Sequence, residues 1–160
     1  MADSIADISY WLKSSSLGSA NVFLTIYTKP ENDEDNMNSW YDSRLQALPN
    51  NADGGSVNFQ GGEWNKFGTS TGAQHQMRFW DHPPDDVSGS EPPASDLPTL
   101  ADLQGSDYTW PHNDPPEKRA THSYHDEEVL ALSLGTGSTD TDVDAYLDDI
   151  TLKLSNETFS

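Results

Sequence analysis

Strand-like alternation of apolar and polar residues is concentrated near the two ends of the chain. Ile8–Lys13 and Asn21–Lys29 both alternate with a period of two, which is the spacing of a β-strand. The segment Ser14–Ser19, rich in Ser and Gly, lies between them, so the pattern predicts an antiparallel hairpin. One face of the first strand carries Ile8, Tyr10 and Leu12, and the other carries Ser9, Trp11 and Lys13. We expect the aromatic residues of both strands to pack mainly in the core: Tyr10, Trp11, Phe23 and Tyr27.

The middle of the chain has weaker patterns. Trp40–Leu48 is compatible with two helical turns or with a bent strand, and Pro49 ends it. Short strands are predicted at Glu63–Phe67 and Gln74–Trp80, and one helical turn at Thr99–Leu103. Most of 81–126 is rich in Pro and polar residues, which predicts a long loop excursion.

The last third alternates again. In Glu128–Leu134, Leu130, Leu132 and Leu134 share one face, with Val129 on the other. In Val143–Leu154, the alternation predicts one shared face for Tyr146, Asp148, Ile150, Leu152 and Leu154. At least six short strands with long connections favour one all-β domain over residues 1–160, an antiparallel β-sandwich of the jelly-roll type with long acidic loops. We expect its first and last strands to be neighbours.

The charge of the chain limits the classes of partner that it can bind and indicates the environment in which it works. The 27 acidic and 8 basic residues give a formal net charge of −19, which opposes binding to nucleic acid or to an anionic membrane surface. Self-repulsion of this size is costly in dilute salt, whereas at about 1 M salt the Debye length falls to roughly 3 Å and screens it. Asp, Ser, Thr and Asn are abundant and Lys is scarce, so the composition favours a protein that works in concentrated salt.

Other classes are disfavoured by what the sequence lacks. It has no Cys, and no apolar run approaches the length of a transmembrane helix. Its first residues lack the basic and apolar pattern of a secretory signal. Leu, Ile, Val and Phe together form less than a fifth of the chain, which is typical of disorder. The five Trp, six Tyr and five Phe residues nevertheless provide enough large side chains for a folded core.

Aromatic residues at strand ends and in loops are the candidate ligand-binding groups. Exposed Trp and Tyr rings stack on sugar rings and also anchor protein interfaces. The group includes Trp64, and its principal candidates are Trp40, Trp80, Tyr108 and Trp110. The alternative is that these rings close the open ends of the sandwich.

The acidic segment before the last strand is the candidate metal site. Hard carboxylate oxygens clustered in a loop suit Ca²⁺, so the sequence indicates a candidate structural calcium site. Its predicted ligands are Asp140, Asp142, Asp144 and Asp148. The alternative is a solvated acidic loop, and Ala145 stands where a helix-loop-helix calcium site needs Gly. His122 and His125 are more typical of a surface loop than of zinc binding.

Catalysis is not expected. Glu31–Asp35 has carboxylates at alternating positions, as some glycosidases do, but it follows Pro30 and is typical of a turn. The chain contains no nucleophile elbow, phosphate loop or dinucleotide fingerprint.

Three segments together resemble a known family. They are the opening YWLK and NVFLTIYT, the central GGEWNKFGT followed by TLADLQ, and the closing EVLALSLGTG and DAYLDDITLKL. They are similar to concanavalin-like and carbohydrate-binding-type jelly-roll modules of haloarchaeal surface or haloarchaeal virus proteins. The resemblance implies a jelly-roll fold, a hypersaline habitat, and a binding or structural role.

These observations lead to a functional prediction with one alternative. We expect a non-catalytic structural or adhesion module at a virion or cell surface in a hypersaline environment. Its expected partners are other virion or surface-layer proteins and further copies of itself, forming a homo-oligomer. The alternative is a carbohydrate-binding module that stacks cell-surface glycans on exposed Trp and Tyr.

Overall fold

The computed structural model describes residues 5–17, 22–29, 44–82, 93–106, 124–136 and 144–155. Within these ranges, eight strands form two four-stranded sheets, so the prediction of an all-β fold is confirmed. The strands are β1 (Ile5–Ser14), β2 (Phe23–Lys29), β3 (Arg44–Ala47), β4 (Trp64–Gly68), β5 (His75–Gln76), β6 (Trp80–His82), β7 (Glu128–Gly135) and β8 (Ala145–Leu154). The first sheet has the order β5-β4-β1-β8 and the second has the order β6-β3-β2-β7.

The helical elements are short. A kinked 3₁₀ segment spans Pro49–Gly55, and two further 3₁₀ turns span Ala94–Asp96 and Tyr124–Asp126. The predicted helical turn is α1 (Leu100–Leu103), which begins with a capping box between Thr99 and Asp102. No helix among these described elements is long and apolar enough to cross a membrane.

The first and last strands are neighbours, as predicted. β1 pairs antiparallel with β8, from Ile5 opposite Leu154 to Ser14 opposite Ala145. The predicted hairpin between β1 and β2 is wrong, because the two strands belong to different sheets. Each strand has one apolar face, and each face is buried when the two sheets cover one another. The buried side chains of both strands accordingly join one core cluster, which includes Ile8, Tyr10, Leu12, Leu24 and Ile26.

The predicted strand Gln74–Trp80 is two strands in different sheets. β5 pairs with β4 in a short parallel ladder, which differs from the purely antiparallel expectation. β6 pairs with β3 in the other sheet. The connection contains Met77 and Phe79, which are completely buried, so this crossing closes one edge of the core.

The ambiguous segment Trp40–Leu48 contains the strand β3, and its first four residues lie outside the described part. β3 pairs with β2, with Leu45 opposite Ile26. Within the predicted loop excursion, the described residues 93–106 add Leu97, Leu100 and Leu103 to the buried interior.

β-Bulges on β7 and β8 shift the faces that simple alternation predicted for these two strands. On β7, the register with β2 shifts between the Tyr27–Ala131 pair and the Thr28–Val129 pair. Val129 packs against the core, whereas Leu130 is exposed. On β8, the register shifts between the Ser9–Thr151 and Trp11–Asp148 pairs. A bulge inserts one extra residue, so every side chain beyond it changes face. Tyr146 and Asp148 therefore share a face with Trp11, whereas Leu152 lies opposite buried Ile8.

Candidate functional site

The outer surface of the first sheet carries aromatic and charged side chains in alternation. Ile8, Tyr10 and Leu12 point into the core, so the intervening residues of β1 point outward. Directly opposite residues on paired strands share a face, which extends this surface onto β4 and β8. We call the group the aromatic face; it comprises Trp11, Lys13, Trp64, Lys66, Tyr146 and Asp148.

Trp11 lies at the centre of one row of this face. It is opposite Lys66 on β4 and opposite Asp148 on β8. The Lys66 Nζ is 6.0 Å from the centroid of the Trp11 ring, at the outer limit of a cation–π contact. The indole is therefore held between a positive and a negative neighbour.

Lys13 lies at the centre of the adjacent row. It is opposite Trp64 on β4 and opposite Tyr146 on β8. Trp64 is 39% exposed and Tyr146 is 60% exposed, which is unusual for such large rings. The two rows together place three aromatic rings on three adjacent strands, with Trp11 diagonal to both Trp64 and Tyr146.

A shallow depression of about 650 Å³ lies on this face. It is lined by Trp11, Trp64, Asp148 and Asp149. Two indole rings and two carboxylates thus line the same depression. This volume lies within the range of small-molecule binding sites, roughly 300–1,000 Å³.

The bulge on β8 shapes the acidic side of the depression. Asp149 has a φ of 48°, in the left-handed region that non-glycine residues seldom adopt. Its backbone N–H donates a hydrogen bond of 2.8 Å to Oδ1 of Asp148. That bond orients the Asp148 carboxylate and stabilises the turn of the bulge.

A tight turn before β4 positions Trp64. The Gly62 N–H donates to the carbonyl of Ser14, joining the turn to the end of β1. A Cβ at Gly61 would lie 2.6 Å from the carbonyl oxygen of Ser15, so only glycine fits there. Buried Asn65 donates to the carbonyls of Gln60 and Glu63 and accepts from the Gln60 N–H. The GGEW segment is therefore a rigid support for the exposed indole.

The local charge of this surface differs from that of the chain. The outer surface of the first sheet carries Lys13, Lys66 and Lys153, three of the five lysines in a chain of net charge −19. Their carboxylate neighbours include Asp148 on β8 and Asp7, which lies opposite Lys153. The surface is therefore nearly balanced in charge.

Only part of the predicted ligand-binding set is described. Trp80 lies in β6 of the second sheet and is half-buried, so it does not belong to the aromatic face. Trp40, Tyr108 and Trp110 lie outside the described residues. Trp11, expected mainly in the core, is half-buried on the outer face. The alternation of β1 contained the signal, since Trp11 is out of phase with Tyr10 and Leu12.

The predicted calcium ligands are also only partly described. Asp144 immediately precedes β8 and Asp148 lies within it, and both are exposed. Asp140 and Asp142 lie outside the described residues. No group of three or more potential metal ligands occurs in the described ranges, and the calcium site stays a prediction.

A second polar cluster supports the fold. Buried His75 contacts Asp53 with 2.8 Å between Nδ1 and Oδ2, and its ring lies 5.1 Å from that of Phe67. The other oxygen of Asp53 accepts the Gln76 N–H at 2.7 Å. These bonds fasten the kinked 3₁₀ segment to β5.

No protein-family model, curated protein or solved structure matches the chain. The geometry of the aromatic face is therefore the basis for a functional assignment.

Proposed function

We propose that the chain is a non-catalytic adhesion module that binds carbohydrate on the aromatic face. The depression between Trp11 and Trp64, bordered by Asp148 and Asp149, is the observation that carries this proposal. A sugar ring has an apolar surface of C–H groups and a rim of hydroxyls. An indole ring stacks on the C–H surface, while carboxylates accept hydrogen bonds from the hydroxyls.

The exposure of the rings supports binding over a purely structural role. Trp64 and Tyr146 keep much of their surface in water, whereas core aromatics such as Tyr10 and Phe67 are fully buried. A fixed aromatic surface loses little conformational entropy when a ligand stacks on it. Lys13 and Lys66 supply donors for sugar oxygens beside the rings.

The acidic arrangement supports a binding role more than a hydrolytic one. Asp148 and Asp149 are consecutive residues at a bulge, and one oxygen of Asp148 already accepts a backbone N–H. Glycosidases instead hold two carboxyl groups on opposite sides of the scissile bond, about 5–10 Å apart.

The setting of the module is part of the same proposal. A charge of −19 favours a hypersaline exterior, at a virion or a cell surface, with surface glycans and neighbouring surface proteins as partners. The pairing of β1 with β8 and of β2 with β7 supports a jelly-roll description of the two sheets.

The proposal is tested by glycan binding in molar salt. A glycan array identifies a ligand, and calorimetry then compares the parent chain with Trp64→Ala and with Trp80→Ala as the control in the other sheet. We expect Trp64→Ala to weaken binding at least tenfold, a loss of about 1.4 kcal/mol, while Trp80→Ala keeps the affinity. Absence of any glycan ligand, or equal affinities for the parent and Trp64→Ala, would overturn the assignment.

A further inference from the structure

The two edges of the core differ in how they are closed. At one edge, the chain crosses from β5 to β6 and buries Met77 and Phe79 completely. At the other edge, β8 and β7 are the last strands in their sheets among the strands described. Of the seven large hydrophobic residues that are exposed in the described part of the chain, six lie on these two strands: Leu130, Tyr146, Leu147, Ile150, Leu152 and Leu154.

The apolar residues of β8 include side chains on its core-facing side. Leu147 lies opposite Leu12, and Leu152 lies opposite Ile8. These two β1 residues, Leu12 and Ile8, are fully or almost fully buried. Yet Leu147 is 37% exposed and Leu152 is 49% exposed. A ten-residue edge strand with this composition is a template for pairing with another strand.

We propose that β8 is a self-association edge, at which two copies of the chain pair their β8 strands antiparallel about a two-fold axis between Asp149 and Ile150. In this register, Leu147 faces Leu152 of the second copy, and Asp148 faces Thr151 of the second copy. Opposed residues of an antiparallel pair must point to the same side of the sheet.

The bulge selects this register. Without a bulge, a centre between two residues would oppose inward to outward side chains, because successive residues alternate. The extra residue of the bulge reverses the alternation between Asp148 and Thr151. Both halves of the strand therefore stay in phase: leucine meets leucine on the inner side, and polar residues meet on the outer side.

Charge complementarity favours a second copy as the partner. The same register brings Lys153 directly opposite Tyr146 of the second copy and diagonal to Asp148 of the second copy. Each interface then contains two such contacts, related by the two-fold axis. A cation beside an aromatic ring and a carboxylate is favourable at an exposed edge. An unrelated strand would meet the same backbone groups without this match.

Concentrated salt permits the pairing. Each chain carries −19, so two chains repel strongly in dilute buffer. At about 1 M salt the Debye length is roughly 3 Å, and the apolar contact then dominates. We therefore expect association to strengthen as salt rises.

The pairing would join the first sheets of two chains into one eight-stranded sheet. A two-fold axis perpendicular to that sheet leaves both aromatic faces on the same side. If the proposed sugar binding holds, the dimer is a bivalent module whose two sites bind one surface together. The pairing itself does not depend on that function.

Disulfide trapping tests the register directly, because the natural chain contains no cysteine. In the proposed dimer, the two Ile150 Cα atoms lie about 6 Å apart, within disulfide range, whereas the two Tyr146 Cα atoms lie about 24 Å apart. Both positions are 60% exposed, so Ile150→Cys and Tyr146→Cys are matched in burial. We expect mild oxidation in molar salt to convert Ile150→Cys, but not Tyr146→Cys, to a covalent dimer. Equal trapping of the two variants, or trapping of neither, would overturn the proposal.

Sedimentation of cysteine-free chains provides a second measurement. We expect twice the 17.6 kDa chain mass in molar salt and the single-chain mass in dilute buffer. At the lowest salt concentration that keeps the parent chain dimeric, where close charges are only partly screened, Lys153→Glu should weaken the dimer about two- to fivefold, more than Lys29→Glu, the same charge change at an exposed position on β2. Adding Asp148→Lys to Lys153→Glu restores an attractive pair and should recover the dimer. A monomer under all conditions, or equal effects of the two lysine variants, contradicts the pairing without bearing on glycan binding.

Discussion

Asn65 is the clearest test of how the chain supports the aromatic face. Its side chain is completely buried and makes three hydrogen bonds to the turn before β4. The Nδ2 group donates to the carbonyl oxygens of Gln60 and Glu63, at 3.1 Å and 2.9 Å. The Oδ1 atom accepts the Gln60 N–H at 3.1 Å. Asn65→Ala removes all three bonds; the Gln60 carbonyl still accepts the Glu63 N–H, whereas the Gln60 N–H and the Glu63 carbonyl are left to find water.

The expected loss in the free energy of unfolding follows from these hydrogen bonds. Each hydrogen bond contributes about 0.5–1.5 kcal/mol net, so three amount to roughly 1.5–4.5 kcal/mol. The turn is close to the surface, where water replaces some of the lost bonds, so we expect about 2–3 kcal/mol. Because the same turn positions Trp64, glycan affinity should fall together with stability.

Urea unfolding in molar salt measures this loss as a lower midpoint at constant slope. Asn58→Ala is the matched control, because its exposed amide contacts only the Gln60 side chain among the bonds described, and it should change stability by less than about 0.5 kcal/mol. Equal midpoints for Asn65→Ala and Asn58→Ala would refute the argument that these buried bonds hold the turn.

Two further predictions concern a buried residue of β1 and the turn that contacts the end of this strand. Burial raises the pKa of the Tyr10 hydroxyl, which donates to the Val22 carbonyl, so the folded chain stays protonated at pH values where the unfolded chain ionises. The contribution of Tyr10 to stability is therefore fully present below about pH 10, and above that pH it is lost by up to about 1.4 kcal/mol per pH unit. Denaturation curves should show a smaller fall for Tyr10→Phe, and equal slopes would contradict this cause. Gly61→Ala places its Cβ against the Ser15 carbonyl, so thermal unfolding should show a loss of roughly 1–3 kcal/mol, whereas Gly72→Ala, which meets no atom within 4 Å, should be nearly neutral.

Local patterns predicted much of the secondary structure. The alternation in β1, β2, β7 and β8 is a property of neighbouring residues, and all four strands form close to the predicted ranges. The α1 turn follows from Thr99 and Asp102, whose side chains satisfy the first backbone groups of the helix. Hydrophobic periodicity depends on distances of two to four residues, which a sequence displays directly.

Strand pairing depended on the packing of the two sheets. The short link between β1 and β2 favoured a hairpin, but each strand has a face that must be buried, and placing them in opposite sheets buries both. The split between β5 and β6 has the same origin, since Met77 and Phe79 fill the edge that the chain crosses. These choices depend on residues far apart in the chain.

The candidate site shows the same division between sequence and structure. The residue pattern alone establishes the net acidic charge, the strand-forming segments and the outward phase of Trp11 relative to Tyr10 and Leu12. The fold brings Trp11, Trp64 and Asp148 together, because they come from three strands joined by long-range pairing. It also decided, through the bulge at Asp149, that Tyr146 faces the aromatic side while Leu152 faces the core. One inserted residue reverses every side chain beyond it, and alternation along the chain contains no record of where that insertion falls.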